Sequence, residues 1–446
     1  MSIFLTKSHV HIAGIGGAGM SGLARLLSEM GHSVSGCDAV ESATLAELEN
    51  DGITVEVGHD ASHLLGTDVF LWSPAFSASS EEFVAATKSG VRMLTRAEVF
   101  GELGATQPVV GLTGTHGKTT ATSMMAHVLA ASGNDYGRLL GAPVRGLGPN
   151  GHYGVDGLIM EVDESYGTFS LLHPFALGVL NVEADHLDYY GSFEALQQEF
   201  ADIITRSKGP VVLWFPDEGA RHAGAMSLKE VILVGPGCTY DVSDIEIGKR
   251  HASFRISGPQ LNEAISLQVT GAHNVANASV VAALANELGV PSEAIVAGLR
   301  AFEGAPRRFQ FLGTWRNADV FEDYAHLPGE ISATLEAARA GGYENVIAIF
   351  QPHRVTRTLN IGADFGPAFD LADFVIVTDI YDAGEPNPLG VTGELVQRAL
   401  SVPSQYVASL GDVVPALREN APACDAVFFL GAGDVATVAH ELLGEQ

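Results

Sequence analysis

The sequence predicts an α/β protein made of three α/β units in series. Short apolar runs alternate with Ala- and Leu-rich stretches of helical length along the whole chain. The 446 residues include 51 glycines, which suits many tight strand–helix turns. Two glycine-rich loops each follow an apolar run and open a helix pattern. The length supports about three domains. We expect a Rossmann-like domain over residues 1–106, a central P-loop ATPase-like domain over 107–304 and a second Rossmann-like domain over 305–446.

The first block opens with His9-Val10-His11-Ile12-Ala13 and then Gly14-Ile15-Gly16-Gly17-Ala18-Gly19. Gly14, Gly16 and Gly19 form G-x-G-x-x-G after a strand, and Asp38 follows the next apparent strand, Ser33 to Cys37. Bare glycine backbone can approach a pyrophosphate, and the acid can meet a ribose hydroxyl. A dinucleotide-like or UDP-like ligand fits this spacing; a tightly packed strand–helix turn is the plainer alternative. The polar stretch Gly101 to Pro108 reads as a linker.

The central block starts with the apolar run to Leu112, then Thr113-Gly114-Thr115-His116-Gly117-Lys118-Thr119-Thr120. Backbone N–H groups and a helix N-terminus attract an anion, Lys118 can reach phosphates, and a hydroxyl can ligate Mg²⁺. Leu112 stands where a Walker A loop has glycine. A glycine-turn-lysine match alone could be a structural turn, but its place between strand and helix points to phosphate.

Two further apolar runs lead into polar residues. Leu158-Ile159-Met160 precedes Glu161-Val162-Asp163-Glu164-Ser165, and Leu177-Gly178-Val179-Leu180 precedes Asn181-Val182-Glu183-Ala184-Asp185-His186. If both strands flank the one before the phosphate loop, these groups share its carboxyl edge, where open α/β sheets bind ligands. Alone, Glu161 would be an ordinary surface acid and His186 a hydrogen-bonding loop residue. Together with Thr119 they suit Mg²⁺, although imidazole is a softer ligand than that ion prefers.

Glu303-Gly304-Ala305-Pro306 marks the next boundary. In the third block, β-like runs cover Asn345 to Phe350, Phe374 to Thr378 and Ala426 to Leu430. His353, Arg354 and Arg357 follow the first of these. Spaced three apart, the arginines could share a helical face and offer a fork for carboxylate or phosphate. No lysine follows Lys249, so any later cation must be Arg or His.

A formal charge of −29 argues against non-specific binding to nucleic acid or an anionic membrane. No apolar run approaches the ~18 residues of a membrane helix. The N-terminus lacks a charged-then-apolar signal pattern, so a cytoplasmic location is expected. Cys37, Cys238 and Cys424 are too widely spaced to indicate a disulfide framework or a zinc site.

Taken together, Gly114 to Thr120, Asn181 to His186, Gly271-Ala272-His273-Asn274-Val275-Ala276-Asn277-Ala278 and Arg307-Arg308-Phe309-Gln310 resemble the Mur ligases of bacterial peptidoglycan synthesis. The resemblance spans essentially the whole chain. Gly14 to Gly22, Asp323-Tyr324-Ala325-His326 and Phe350-Gln351-Pro352-His353-Arg354 are similar to the branch that joins L-alanine to UDP-N-acetylmuramate.

The resemblance implies UDP-substrate binding by Gly14, Gly16, Gly17, Ala18, Gly19, Asp38 and Ser73. It implies ATP binding by Gly114, Thr115, His116, Gly117, Lys118, Thr119 and Thr120, with Asn274 near the adenine and Arg308 and Asp323 on the nucleotide. Two Mg²⁺ ions, replaceable by Mn²⁺, would be held by Thr119 and by Glu161 with His186. Lys118, His186, His326, His353, Arg354 and Arg357 would be catalytic, and Tyr324, His326, His353, Arg354 and Arg357 would shape the amino-acid pocket. The implied substrates are ATP, UDP-N-acetylmuramate and L-alanine, handled by a monomer or homodimer.

Some Mur ligases carry a carbamylated lysine on the helix after the metal histidine; the corresponding stretch here, Phe193 to Thr205, has no lysine, as suits the alanine-adding branch. Leu327 replaces a histidine common in the family and Tyr166 an acid, which bears on amino-acid preference. Leu327 is expected to pack beneath the pocket. The nearest rival is a recycling ligase that attaches a tripeptide to the same UDP sugar. An NAD(P)-dependent dehydrogenase would leave Lys118, Glu161 and His186 unexplained, and a non-catalytic nucleotide sensor would have no use for the full pocket.

Overall fold

In the computed structural model, which describes residues 6–73 and 76–444, four sheets succeed one another along the chain. The first contains β1 (His9–Ala13), β2 (Ser33–Asp38), β3 (Thr54–Val57), β4 (Val69–Trp72) and β5 (Arg92–Thr95). All are parallel, in the order β3-β2-β1-β4-β5. The order reverses at β1, so the glycine loop after it and Ser73 after β4 lie at one carboxyl edge.

The second sheet contains β6 (Val109–Thr113), β7 (Tyr136–Leu139), β8 (Gly151–His152), β9 (Gly157–Val162), β10 (Ala176–Val179), β11 (Val211–Trp214) and β12 (Ile232–Val234). Its order is β12-β11-β10-β6-β9-β7-β8, with only β8 antiparallel. Every residue of β6 is buried, as expected for a strand covered on both faces. β9 and β10 flank it, which brings both sequence-predicted acidic edges beside the phosphate loop.

β13 (Asp241–Ile247), β14 (Ala252–Gly258) and β15 (Leu261–Leu267) form a small third sheet. The fourth contains β16 (Gln310–Trp315), β17 (Ala318–Asp323), β18 (Val346–Phe350), β19 (Phe374–Val377), β20 (Ser404–Tyr406) and β21 (Ala426–Leu430). Its order is β16-β17-β21-β18-β19-β20, and only β16 is antiparallel. Alternate side chains go to opposite faces: Ala348, Phe350 and Phe428 to one core, Ile347, Ile349 and Phe429 to the other.

Two compact units result. One comprises Met1–Ile245, Ser253–Leu267 and His273–Glu303; the other Glu246–Ala252, Gln268–Ala272 and Gly304–Gln446. Within the first unit a single apolar core runs from Val10 and Leu23 of the first sheet layer to Phe200 and Leu213 of the second.

The expected linker Gly101 to Pro108 is mostly helical: Arg96–Thr106 forms a helix entered through a Thr95–Glu98 capping box. Its glycines are there for close packing. A Cβ on Gly101 would stand 3.1 Å from the Leu171 carbonyl oxygen, and one on Gly104 3.1 Å from that of His173. Among the described residues no helix is long and apolar enough to cross a membrane.

Candidate active site

The phosphate loop of the first unit is held by its neighbour strand's exit. Asn181, just beyond β10, accepts from the His116 N–H at 2.7 Å and donates to the His116 carbonyl at 3.0 Å. Thr115 Oγ1 accepts from Glu183 N–H at 2.8 Å. Gly117 caps the helix Lys118–Ala131 with φ of 80°, and a Cβ there would meet Asn277 Oδ1 at 2.8 Å. Glycine is thus required by both backbone conformation and space. Asn277 and Asn274 are buried in the helix Ala272–Glu287, and the first of them lines the loop. Thr120 continues the first turn of the helix after the loop.

Lys118 does not reach outward. Its Nζ donates to the Gly114 carbonyl at 2.8 Å and to Glu164 Oε2 at 2.8 Å, and Asp163 Oδ1 lies 3.7 Å away. Burial disfavours the ammonium, but Glu164 and Asp163 outweigh it and hold the lysine pKa above its ordinary value. Burial pushes Glu164 up as well, against the pull of Lys118. The salt link keeps the proton on the lysine. Burial also opposes charge on Asp163, yet Lys118 and Arg96 hold its pKa low.

Glu161 lies within β9 rather than after it, opposite Leu112 in the parallel ladder. Its Oε1 accepts from Thr119 Oγ1 at 3.0 Å and its Oε2 from Gly141 N–H at 2.9 Å. His186 instead faces Glu164 Oε1 and Asp185 Oδ2, each at 3.9 Å. Glu164, Asp185 and His186 make a three-member donor group of metal-holding size. So Thr119 is paired with Glu161, while His186 belongs with Glu164 and Asp185. His186 adopts φ of 52°, a left-handed conformation that aims its ring from the head of the short helix Leu187–Tyr190.

At the first sheet, Asp38 Oδ2 accepts from the Gly16 N–H at 3.0 Å, so the acid braces the glycine loop itself. Gly14 and Ile15 donate to the Cys37 carbonyl, and Gly17 and Ala18 lead into the helix Ala18–Glu29. The Arg96 guanidinium packs where a Cβ on Gly19 would be, 2.8 Å away, and donates to Asp163 Oδ2 at 3.2 Å. Sequence reasoning missed Arg96, because nothing in its local pattern tells which loops it joins.

The second unit has its own cationic and aromatic cluster. The Asp323 carboxylate accepts from Phe309 N–H at 2.9 Å and Ala325 N–H at 2.8 Å, and burial pushes its pKa up against the pull of Arg308. Arg307 and Arg308 lie over the Tyr324 ring at 4.8 and 5.5 Å. His326 Nδ1 sits 3.0 Å from the Tyr324 carbonyl, and its ring is 5.9 Å from that of His353. His353 stacks on Tyr381 at 5.5 Å. Burial first, then His326, Arg357 and Arg354, push its pKa down to about 4. Burial lowers His326 also.

Arg354 and Arg357 do not share a helical face. Arg354 is the residue before the helix Val355–Ile361, with φ of 72° and its N–H bound to the Tyr381 carbonyl at 2.8 Å. That bond turns the backbone before the helix begins, so Arg354 approaches Glu385 at 4.0 Å while Arg357 turns to His353 at 3.4 Å. Leu327 does not pack beneath a pocket either; it remains 36% exposed at the head of the helix Pro328–Ala340, where its N–H meets Glu330. Tyr166 is half exposed, with its ring 6.0 Å from that of Tyr189.

The sequence matches the "Mur ligase family, catalytic domain" over residues 9–107, the "Mur ligase middle domain" over 112–285 and the "Mur ligase, glutamate ligase domain" over 307–433. It is 40% identical to the UDP-N-acetylmuramate–L-alanine ligase of Renibacterium salmoninarum, across 99% of this chain and 97% of that protein. Identity to the same-named ligase of Kineococcus radiotolerans is 41%, across 97% and 95%. The crystal structure of the UDP-N-acetylmuramate–alanine ligase of Thermotoga maritima superposes with a TM-score of 0.83 at 29% identity, covering 98% of this chain and 99% of that one. A murein peptide ligase from Psychrobacter arcticus superposes at 0.69 and 24% identity over 98% of both chains, which shows the shared fold.

Proposed function

Since the chain belongs to the Mur ligase family, we propose that it joins L-alanine to the lactyl carboxylate of UDP-N-acetylmuramate, driven by ATP, in peptidoglycan precursor synthesis. The observation that carries the reading is the carboxyl edge of the second sheet, where β9 and β10 set Glu161, Glu164 and His186 around Lys118 and Thr119. The domain roles follow as UDP-substrate binding by residues 1–106, ATP binding by 107–304 and amino-acid binding by 305–446. A cytoplasmic setting fits these substrates.

A carboxylate is a poor electrophile toward an amine in water. Transfer of the ATP terminal phosphoryl group to the lactyl oxygen gives an acyl phosphate and ADP. The alanine amine then attacks the carbonyl, the C–O bond to phosphate breaks, and amide and phosphate result. Lys118, released from Glu164, stabilises the charge on the transferring group. His353, neutral near pH 7, suits a base that takes the proton lost by the attacking amine. Arg354 and Arg357 offer cations for the alanine carboxylate or the phosphoryl oxygens.

The donor chemistry fits Mg²⁺. A hydroxyl and a carboxylate meet at Thr119 and Glu161, and two carboxylates with one imidazole meet at Glu164, Asp185 and His186. Bound there, the ions would neutralise phosphate charge. Phosphate release should require UDP-N-acetylmuramate together with an amino acid. Measured across alanine, serine, glycine and a tripeptide, it should be fastest with alanine. Release with the tripeptide alone would favour the recycling activity, and no release with any acceptor would end the ligase reading.

A further inference from the structure

A second group of ligand-type side chains lies beneath the glycine loop, away from the phosphate loop. His11 of β1, Cys37 of β2, His63 in the turn Ala61–Leu64 and Glu82 in the helix Glu81–Ser89 each offer a donor atom within 4.8 Å of all the others. Glu82 Oε1 is 2.6 Å from His63 Nδ1 and 3.5 Å from His11 Nε2, and its Oε2 is 2.9 Å from Cys37 Sγ. His59 Nδ1 stands beside them, 3.2 Å from both Cys37 Sγ and Glu82 Oε2.

A buried carboxylate neutralised by hydrogen bonds would account for part of this group. His11 is held by it only loosely, as an ion-pair partner of Glu82 at 3.5 Å. The His11 side chain is 1% exposed, and its Nε2 makes no hydrogen bond among the described residues while pointing at Glu82. Its other nitrogen, Nδ1, is fixed by Ser35 Oγ at 2.9 Å. If Nδ1 carries the proton, Nε2 presents its lone pair to the group, the arrangement typical of metal-bound histidine.

We propose that His11, Cys37, His63 and Glu82 form a closed structural site for a zinc-class divalent ion. Two imidazoles, a thiolate and a carboxylate are a tetrahedral zinc donor set, whereas Mg²⁺ does not select sulfur and nitrogen. The ion displaces the thiol proton of Cys37 and releases it to solvent, with no change of oxidation state. Because ligation takes the proton from the thiol, occupancy falls as pH drops. The donors adjust on binding, from separations that run from 2.6 Å to within 4.8 Å, toward the roughly 3.4 Å that separates neighbouring ligands around zinc. His63, 16% exposed in a surface turn, and His59, 25% exposed, give the ion a way in.

Such an ion clips β1, β2, the turn and the helix together. The Cys37 carbonyl accepts from Gly14 N–H at 2.8 Å and Ile15 N–H at 3.0 Å, and Asp38 braces Gly16. The clip therefore steadies the loop assigned above to the UDP substrate.

The test is cobalt titration of the untagged full-length protein after chelator treatment, followed by displacement with zinc. One equivalent should bring up a near-ultraviolet thiolate-to-cobalt charge-transfer band and intense tetrahedral visible bands. The Cys238→Ser/Cys424→Ser variant should keep both. Cys37→Ser should lose the charge-transfer band, and His63→Ala should bind at least about tenfold more weakly. Zinc should raise the melting temperature of the parent protein but not of His63→Ala, a partly exposed position that reads the site even if Cys37→Ser does not fold. Cobalt binding without a thiolate band, a band that survives Cys37→Ser, or a zinc-dependent melting shift retained by His63→Ala would each overturn the proposal.

Discussion

Lys118 Nζ and Glu164 Oε2 lie 2.8 Å apart, so the cation of the phosphate loop is already paired with a carboxylate from the end of the neighbouring strand. On the proposed ATP-binding role, a phosphate entering the loop would exchange one anionic partner for another, and the lysine would not be left buried and unpaired. Such a charge, stranded in a dry site, would be strongly destabilising.

Lys118→Ala should lower kcat by about a thousandfold or more, since it removes the charge proposed to stabilise the transferring phosphoryl group. UDP-N-acetylmuramate affinity, measured by calorimetry, should stay within about twofold of the parent. Loss of both would mean that the two nucleotide sites are not separable.

Glu161→Gln and Glu164→Gln should differ. Glu161 faces Thr119 and Gly141. Its amide should raise the Mg²⁺ concentration for half-maximal turnover by roughly tenfold. Glu164→Gln should raise it too, since Glu164 belongs to the second donor group, but it also breaks a buried pair and should lower unfolding stability by about 3–5 kcal/mol. Urea titrations and Mg²⁺ dependence measured on both variants separate the roles; identical behaviour would refute the division.

Gly117→Ala should lose about 1–3 kcal/mol of stability, because φ of 80° strains alanine and the new Cβ meets Asn277 at 2.8 Å. Adding Asn277→Ala should recover the steric part alone. Full recovery of the melting temperature would show that backbone strain contributes nothing.

The pH dependence follows from His353. Its folded pKa, about 4, lies below its ordinary value of 6.5, so between these the unfolded chain binds more protons. Its stabilising contribution is complete above pH 6.5 and is lost as pH falls toward 4. Denaturant unfolding at pH 7.5 and pH 5 should show a smaller pH-dependent loss in His353→Gln than in the parent. An equal or greater loss in the variant would count against a depressed pKa.

Arg96→Ala should weaken UDP-N-acetylmuramate binding about tenfold and lower kcat, since one guanidinium contacts both Gly19 and Asp163. A variant with unchanged affinity and rate would reduce Arg96 to packing.

Much of the site was legible in the sequence because a phosphate cradle is contiguous. The turn, helix start, lysine and hydroxyls of Gly114 to Thr120 follow one another, and so do Asn181 and His186. The apolar runs of β9 and β10 left their placement beside β6 as a condition, and the ladder meets it. Less legible were positions where one residue's step changes direction. Glu161 was expected beyond its strand and lies within it; Arg354 was expected on a helix and is turned out of it by the Tyr381 carbonyl. The helix Arg96–Thr106 was concealed by glycines that serve close packing rather than flexibility.

By itself the sequence determined which donors each loop offers, because backbone donors and side chains within one turn need no distant partner to find their places. Only the tertiary structure decided which acid takes Lys118, how Arg96 joins two loops, and that His11, Cys37, His63 and Glu82 converge. Those four residues stand on separate elements between positions 11 and 82. Parallel strands bring distant segments side by side, and no spacing rule along the chain encodes that meeting.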